Sequence, residues 1–246
     1  MDDYLDRIHN ANTLQGLFEI WKQKKPSETI DHEKNFFIED GIVDSNVWNG
    51  GEKKILFILK EAYGDDWAEN TLTTWLATCH PKARIWSRIA RMVYGIQNTT
   101  MTEMRRYKAQ LSDAEHNAAL HQIAVLNLKK SNGKSTSSYD EIAQYAEYDR
   151  EEIKKEFELI DADIVICGST FRTFMKQVYE IELYPEEQCD NWYYHIDIGR
   201  KRLFIDFYHP ANRWPDLFNY YSLVSLYQQA LLKENHIERV NLYSKV

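Results

Sequence analysis

The strongest pattern along the chain is a set of short apolar runs separated by segments of helical periodicity. Lys54–Leu59 (KILFIL), Gln122–Leu126 and Asp163–Cys167 (DIVIC) are nearly unbroken apolar stretches. Such stretches are expected of strands covered on both faces. Trp192–Ile198 and Arg202–Phe207, joined by Gly199-Arg200-Lys201, read as a hairpin. Helices are predicted at Leu14–Lys24, near Ile85–Val93, at Ser112–Leu120 behind a Ser112/Glu115 capping box, and in stretches opened by Ser138/Glu141 and Asp149/Glu152 that end near Ile160. A further helix follows Gly168-Ser169 over Thr170–Tyr179, and a long last one starts near Pro215 and ends near Lys233. Residues 25–52 are irregular through Gly50-Gly51, and Ser131–Ser138 reads as a polar loop.

Strands alternating with helices in this order predict an α/β fold, a three-layer α/β/α sandwich around a largely parallel four-stranded sheet. The chain of 246 residues is expected to form one domain: a helical lead-in (1–52), a core (53–232) and a tail (233–246). No apolar run reaches membrane-span length and the start, MDDYLDRIHN, lacks signal-peptide character, so a cytoplasmic protein is expected. Cys79, Cys167 and Cys189 are too few and too scattered for a disulfide framework or thiolate cluster, and His116 and His121 are badly spaced for a zinc pair. No metal or cofactor is expected.

Charge adds one complication. The net charge of −8 argues against indiscriminate nucleic-acid coating, yet Lys82–Lys134 holds ten Lys/Arg against three Asp/Glu. That segment is a candidate basic face. Equally, Arg84, Arg88 and Arg91 can be the solvated stripe of an amphipathic helix.

Ligands of open α/β sheets bind beyond the carboxyl ends of the strands, so the residues after each strand are the ones to inspect. They are Lys60-Glu61-Ala62-Tyr63-Gly64, Asn127-Leu128-Lys129-Lys130, Gly168-Ser169-Thr170 and His209-Pro210-Ala211-Asn212-Arg213. In kind, order and spacing these four segments resemble the uracil-DNA glycosylase superfamily over roughly residues 53–232. The first loop departs from the family at Lys60 and Tyr63, and Ala211 replaces a serine; the cysteines of the iron-sulfur branch are absent.

The resemblance implies hydrolysis of the N-glycosidic bond of a deaminated base such as uracil in DNA. His209 would donate to the base carbonyl as negative charge develops there, and Glu61 would orient the attacking water. Asn127 would read the base edge, with Tyr63, Trp67, Trp75 or Trp86 stacking on the base. Ser169, Lys129, Lys130, Lys134, Asn212 and Arg213 would contact phosphate. The implied partner is DNA or another nucleobase-containing ligand. Two alternatives stand beside this reading: a non-catalytic descendant that binds a nucleobase, nucleic acid or protein, and an enzyme of free or modified nucleosides. Residue by residue, blander roles also exist, since Glu61 can be a surface carboxylate, His209 a turn histidine and Lys129-Lys130 a solvated pair.

Overall fold

The structure is a computed structural model that describes residues 3–63, 71–79, 81–133, 136–182 and 192–233. Its centre is a six-stranded sheet, built from β1 (Gly41–Ile42), β2 (Ile55–Tyr63), β3 (Ile123–Gly133), β4 (Ile164–Gly168), β5 (Tyr193–Ile198) and β6 (Arg200–Phe207), in the order β1-β3-β2-β4-β6-β5. The four inner strands run parallel, whereas β1 and β5 flank them as antiparallel edges. The expected count of four is therefore corrected to six. Of the two added edges, β5 is the first arm of the predicted hairpin, whereas β1 is two residues long and lies in the irregular lead-in, where no periodicity marks it.

Alternation explains why the inner strands read as continuous apolar runs. Ile55, Phe57 and Leu59 of β2 point to one sheet face and Leu56 and Ile58 to the other, and each set joins its own fully apolar cluster. The first face is covered by α4 (Leu72–Cys79), α5 (Arg84–Gln97), α6 (Asp113–His121) and α10 (Asp216–Lys233). The second is covered by α1 (Asp3–His9), α2 (Leu14–Trp21), α3 (Ser45–Gly50), α7 (Tyr139–Tyr148), α8 (Arg150–Ile160) and α9 (Phe171–Thr173), which widens into a π turn over Phe174–Val178. The predicted helix Thr170–Tyr179 is thus mostly π-helical. Among the described residues no helix is long and apolar enough to cross a membrane.

The caps act largely as the sequence implies. Ser112 and Glu115 form a reciprocal capping box at α6, and Ser138 caps α7 by accepting from the Glu141 backbone N–H. Asp149 does not cap α8. Its carboxylate is buried against His32 Nε2 at 3.0 Å and Lys24 Nζ at 3.3 Å, joining the lead-in to the second helical layer.

Two strands outrun their predicted ends, and this shapes the site. β3 continues as strand through Asn127, Lys129 and Lys130 to Gly133, where a loop is predicted from Ser131. β2 continues through Lys60-Glu61-Ala62-Tyr63, pairing Glu61 with Lys129 and Tyr63 with Gly133 across a bulge, so this segment is a strand up to Tyr63 and not a loop. The chain leaves β2 toward the first helical layer and leaves β3 toward the second. The carboxyl ends of β2 and β3 therefore form a topological switch point, the crevice in which open α/β sheets place their ligands.

Candidate functional site

Glu61, Asn127 and His209 line one cavity of about 660 Å³ at that switch point. Leu59, Glu61 and Asn127 form its sheet side, and Leu72, Trp75 and Trp86 from α4 and α5 form the wall above. Trp75 and Trp86 meet edge to face with centroids 6.2 Å apart, while Tyr63 lines the mouth and is largely exposed. Trp67 and Lys134 lie outside the described residues.

His209 is held by its backbone and by one ring nitrogen. Ser169 sits after β4 with φ +58°, a left-handed conformation that only its surroundings enforce in a non-glycine residue, and its Oγ accepts the His209 backbone N–H at 3.0 Å. Ser169 therefore positions His209. The Ala211 N–H donates to His209 Nδ1 at 3.2 Å. A neutral imidazole that accepts at Nδ1 carries its proton on Nε2, so the nitrogen left for the cavity is a donor. Burial, helped by the nearby Lys60 charge, lowers the His209 pKa from 6.5 to about 4, which keeps the ring neutral at physiological pH.

Glu61 is equally constrained. Its Oε2 accepts from Lys129 Nζ at 2.9 Å, and Lys129 also donates to Glu141 at 2.7 Å. The Glu61 Oε1 is buried with no protein partner, free to accept from a water in the cavity. Burial would pull the Lys129 pKa down, but its hydrogen bonds to Glu141 and Glu61 outweigh burial and raise it, so the ammonium stays charged. Gly133 packs against this carboxylate: a Cβ there would lie 2.6 Å from Glu61 Cγ and 2.7 Å from the Ala62 carbonyl oxygen. Gly133→Ala is expected to cost about 1–3 kcal/mol by overpacking, read by urea denaturation, and to displace Glu61.

Three of the expected phosphate contacts are corrected along with their surroundings. Lys129 and Lys130 are buried, the first between Glu61 and Glu141 and the second between Asp40 and Glu156. Asn212 spends its amide inside the loop after β6, where it forms a reciprocal amide pair with Asn219 and donates to the His209 carbonyl oxygen. Arg213 is exposed on the same loop.

The candidate basic face loses two of its arginines to internal partners. Arg88 is 1% exposed and donates to Asp216 and to the backbone carbonyls of Pro210, Asn212 and Trp214, while Arg91 pairs with Asp216 at 2.5 Å. Arg84 donates to the Trp214 carbonyl oxygen at 3.3 Å. Arg88 holds the loop that carries His209, and Arg88 and Arg91 are committed to Asp216, whereas Arg84 is exposed.

Sequence reasoning missed Asp40. It accepts from both the backbone N–H and the side-chain Nδ2 of Asn127, at 2.6 and 3.0 Å. No local pattern marks Asp40, because it lies in the irregular segment before β1. Among the described residues no group of three or more His, Cys, Asp or Glu is arranged to hold a metal ion. Compared with known proteins, the chain matches no family model and no curated protein sequence.

Proposed function

We propose that the protein is a nucleobase-directed N-glycosidase whose ligand presents a lactam edge, a carbonyl beside a ring N–H, as uracil and hypoxanthine do. The observation that carries this reading is the complementary polarity of one cavity: a donor at His209 Nε2, an acceptor at Asn127 Oδ1 and a carboxylate oxygen at Glu61, beneath two tryptophans. Breaking an N-glycosidic bond leaves negative charge on the departing base and cationic character on the sugar. A neutral donor aimed at the base carbonyl stabilises the first, and a buried carboxylate stabilises the second while orienting water. Asn127 accepts the ring N–H, and the apolar wall excludes solvent from the bond being broken.

The commitment of Arg88, Arg91, Lys129 and Lys130 to internal partners favours a second reading for the carrier of the base, a free nucleoside over duplex DNA. A phosphate track of several cations would make affinity fall steeply with salt. The test is base release from oligonucleotides carrying uracil, hypoxanthine or xanthine, single-stranded and duplex, and from the corresponding free nucleosides. Release of a lactam base with weak salt dependence supports the proposal. Absence of any free base or abasic site across the panel ends the catalytic reading.

A further inference from the structure

Asn127 offers three polar groups at the floor of the cavity, and one oxygen takes two of them. Asp40 Oδ2 receives both its backbone N–H and its Nδ2. An ionised carboxylate only accepts, so the amide nitrogen must face Asp40 and the carbonyl Oδ1 is turned away from it. That Oδ1 is buried without a protein partner on a residue 2% exposed that lines the cavity.

Asp40 itself cannot turn. Its other oxygen accepts from Lys130 Nζ, and that ammonium lies 2.6 Å from Glu156 Oε2 and over the rings of Phe18 and Trp21. The Ile38 N–H donates to the Lys130 carbonyl oxygen at 2.7 Å and Gly41 pairs with Val125, so the backbone on both sides of Asp40 is fastened to β3.

We propose that Asp40 is a positioning residue that sets the hydrogen-bond polarity of the cavity, fixing Asn127 Oδ1 as an acceptor so that the site selects ligands with a ring N–H over ligands with a bare or methylated ring nitrogen. The selectivity half rests on the nucleobase reading of the cavity; the orientation of Asn127 does not. The buried cluster makes the idea testable by a single substitution. Burial and the adjacent Asp40 charge push the Glu156 carboxyl well up, and its Oε2 lies 2.6 Å from Lys130 Nζ. In Asp40→Asn, Glu156 remains beside Lys130 to neutralise it in place of Asp40. The new amide at position 40 can donate to Asn127 Oδ1, which turns the Asn127 nitrogen toward the cavity.

The experiment uses the full chain in two measurements. By NMR, one Nδ2 proton of Asn127 should be shifted well downfield of its geminal partner and protected from exchange by at least about tenfold, and both effects should vanish in Asp40→Asn. By calorimetry, uridine should bind the wild type about 10–100-fold more tightly than 3-methyluridine or cytidine, the cost of leaving a buried acceptor unmet. Asp40→Asn should erase or invert that preference. Glu156→Gln, which leaves Asp40 and its bonds to Asn127 in place, should keep it. An unprotected Asn127 amide in the wild type, or an unchanged preference in Asp40→Asn, overturns the proposal, and the wild-type amide decides alone if Asp40→Asn does not fold. If the amide is protected but no nucleoside binds, the positioning role of Asp40 stands and the nucleobase reading falls.

Discussion

Replacing His209 by alanine is expected to slow base release by about 10²–10³-fold in single-turnover measurements while leaving affinity for the uncleaved ligand nearly unchanged. The size follows from losing one preorganised donor to a charge that develops only in the transition state. The ring is prepared for this role before any ligand arrives, since Ser169 fixes its backbone and the Ala211 N–H fixes its tautomer. An unchanged rate in His209→Ala would end the mechanism drawn above. The lowered pKa adds an independent check. His209 should titrate near pH 4 by NMR, against 6.5 for an ordinary histidine. Between those values the unfolded chain binds a proton at this residue that the folded chain refuses, so the contribution of His209 to stability is complete above pH 6.5 and shrinks as the pH falls toward 4.

The largest loss of stability is expected from Arg88→Met, about 3–5 kcal/mol by chemical denaturation. A methionine fills much of the volume but supplies none of the donors, so the Pro210, Asn212 and Trp214 carbonyls lose a shared partner and Asp216 keeps only Arg91. Arg88→Lys should recover little of it, because an ammonium cannot reach a fork of acceptors arranged around a planar guanidinium. A loss below about 1 kcal/mol would show that the loop after β6 is held by something else. Since that loop carries His209, the same variant should also lower activity under conditions where it remains folded.

The inner strands were legible because burial on both faces leaves an unmistakable apolar run, as in Ile55–Leu59 and Ile164–Cys167. The convergence of Glu61, Asn127 and His209 was legible for a topological reason: parallel strands deliver their carboxyl ends to one edge. What misled was charge. Lys129, Lys130 and Arg88 look solvated in sequence because their neutralising partners, Glu61, Asp40 and Asp216, lie far along the chain and become neighbours only through the fold. Asp40 was invisible for the same reason, compounded by a two-residue strand too short to carry a periodic signal.

The cavity draws on the chain from Asp40 to His209, taking one contribution each from the segment before β1, from β2 and β3, from the turn after β4 and from the loop after β6. With Leu72, Trp75 and Trp86 from α4 and α5, these segments are spread along most of the chain, so the pocket is complete only when all of them are in place. During refolding the parallel pairings that separate these segments in sequence must all close first, at the full cost in chain entropy of long-range contacts. Ligand binding should then appear only with the slowest phase, after helix content and most of the tryptophan burial have been regained, which makes the pocket a reporter of completed folding.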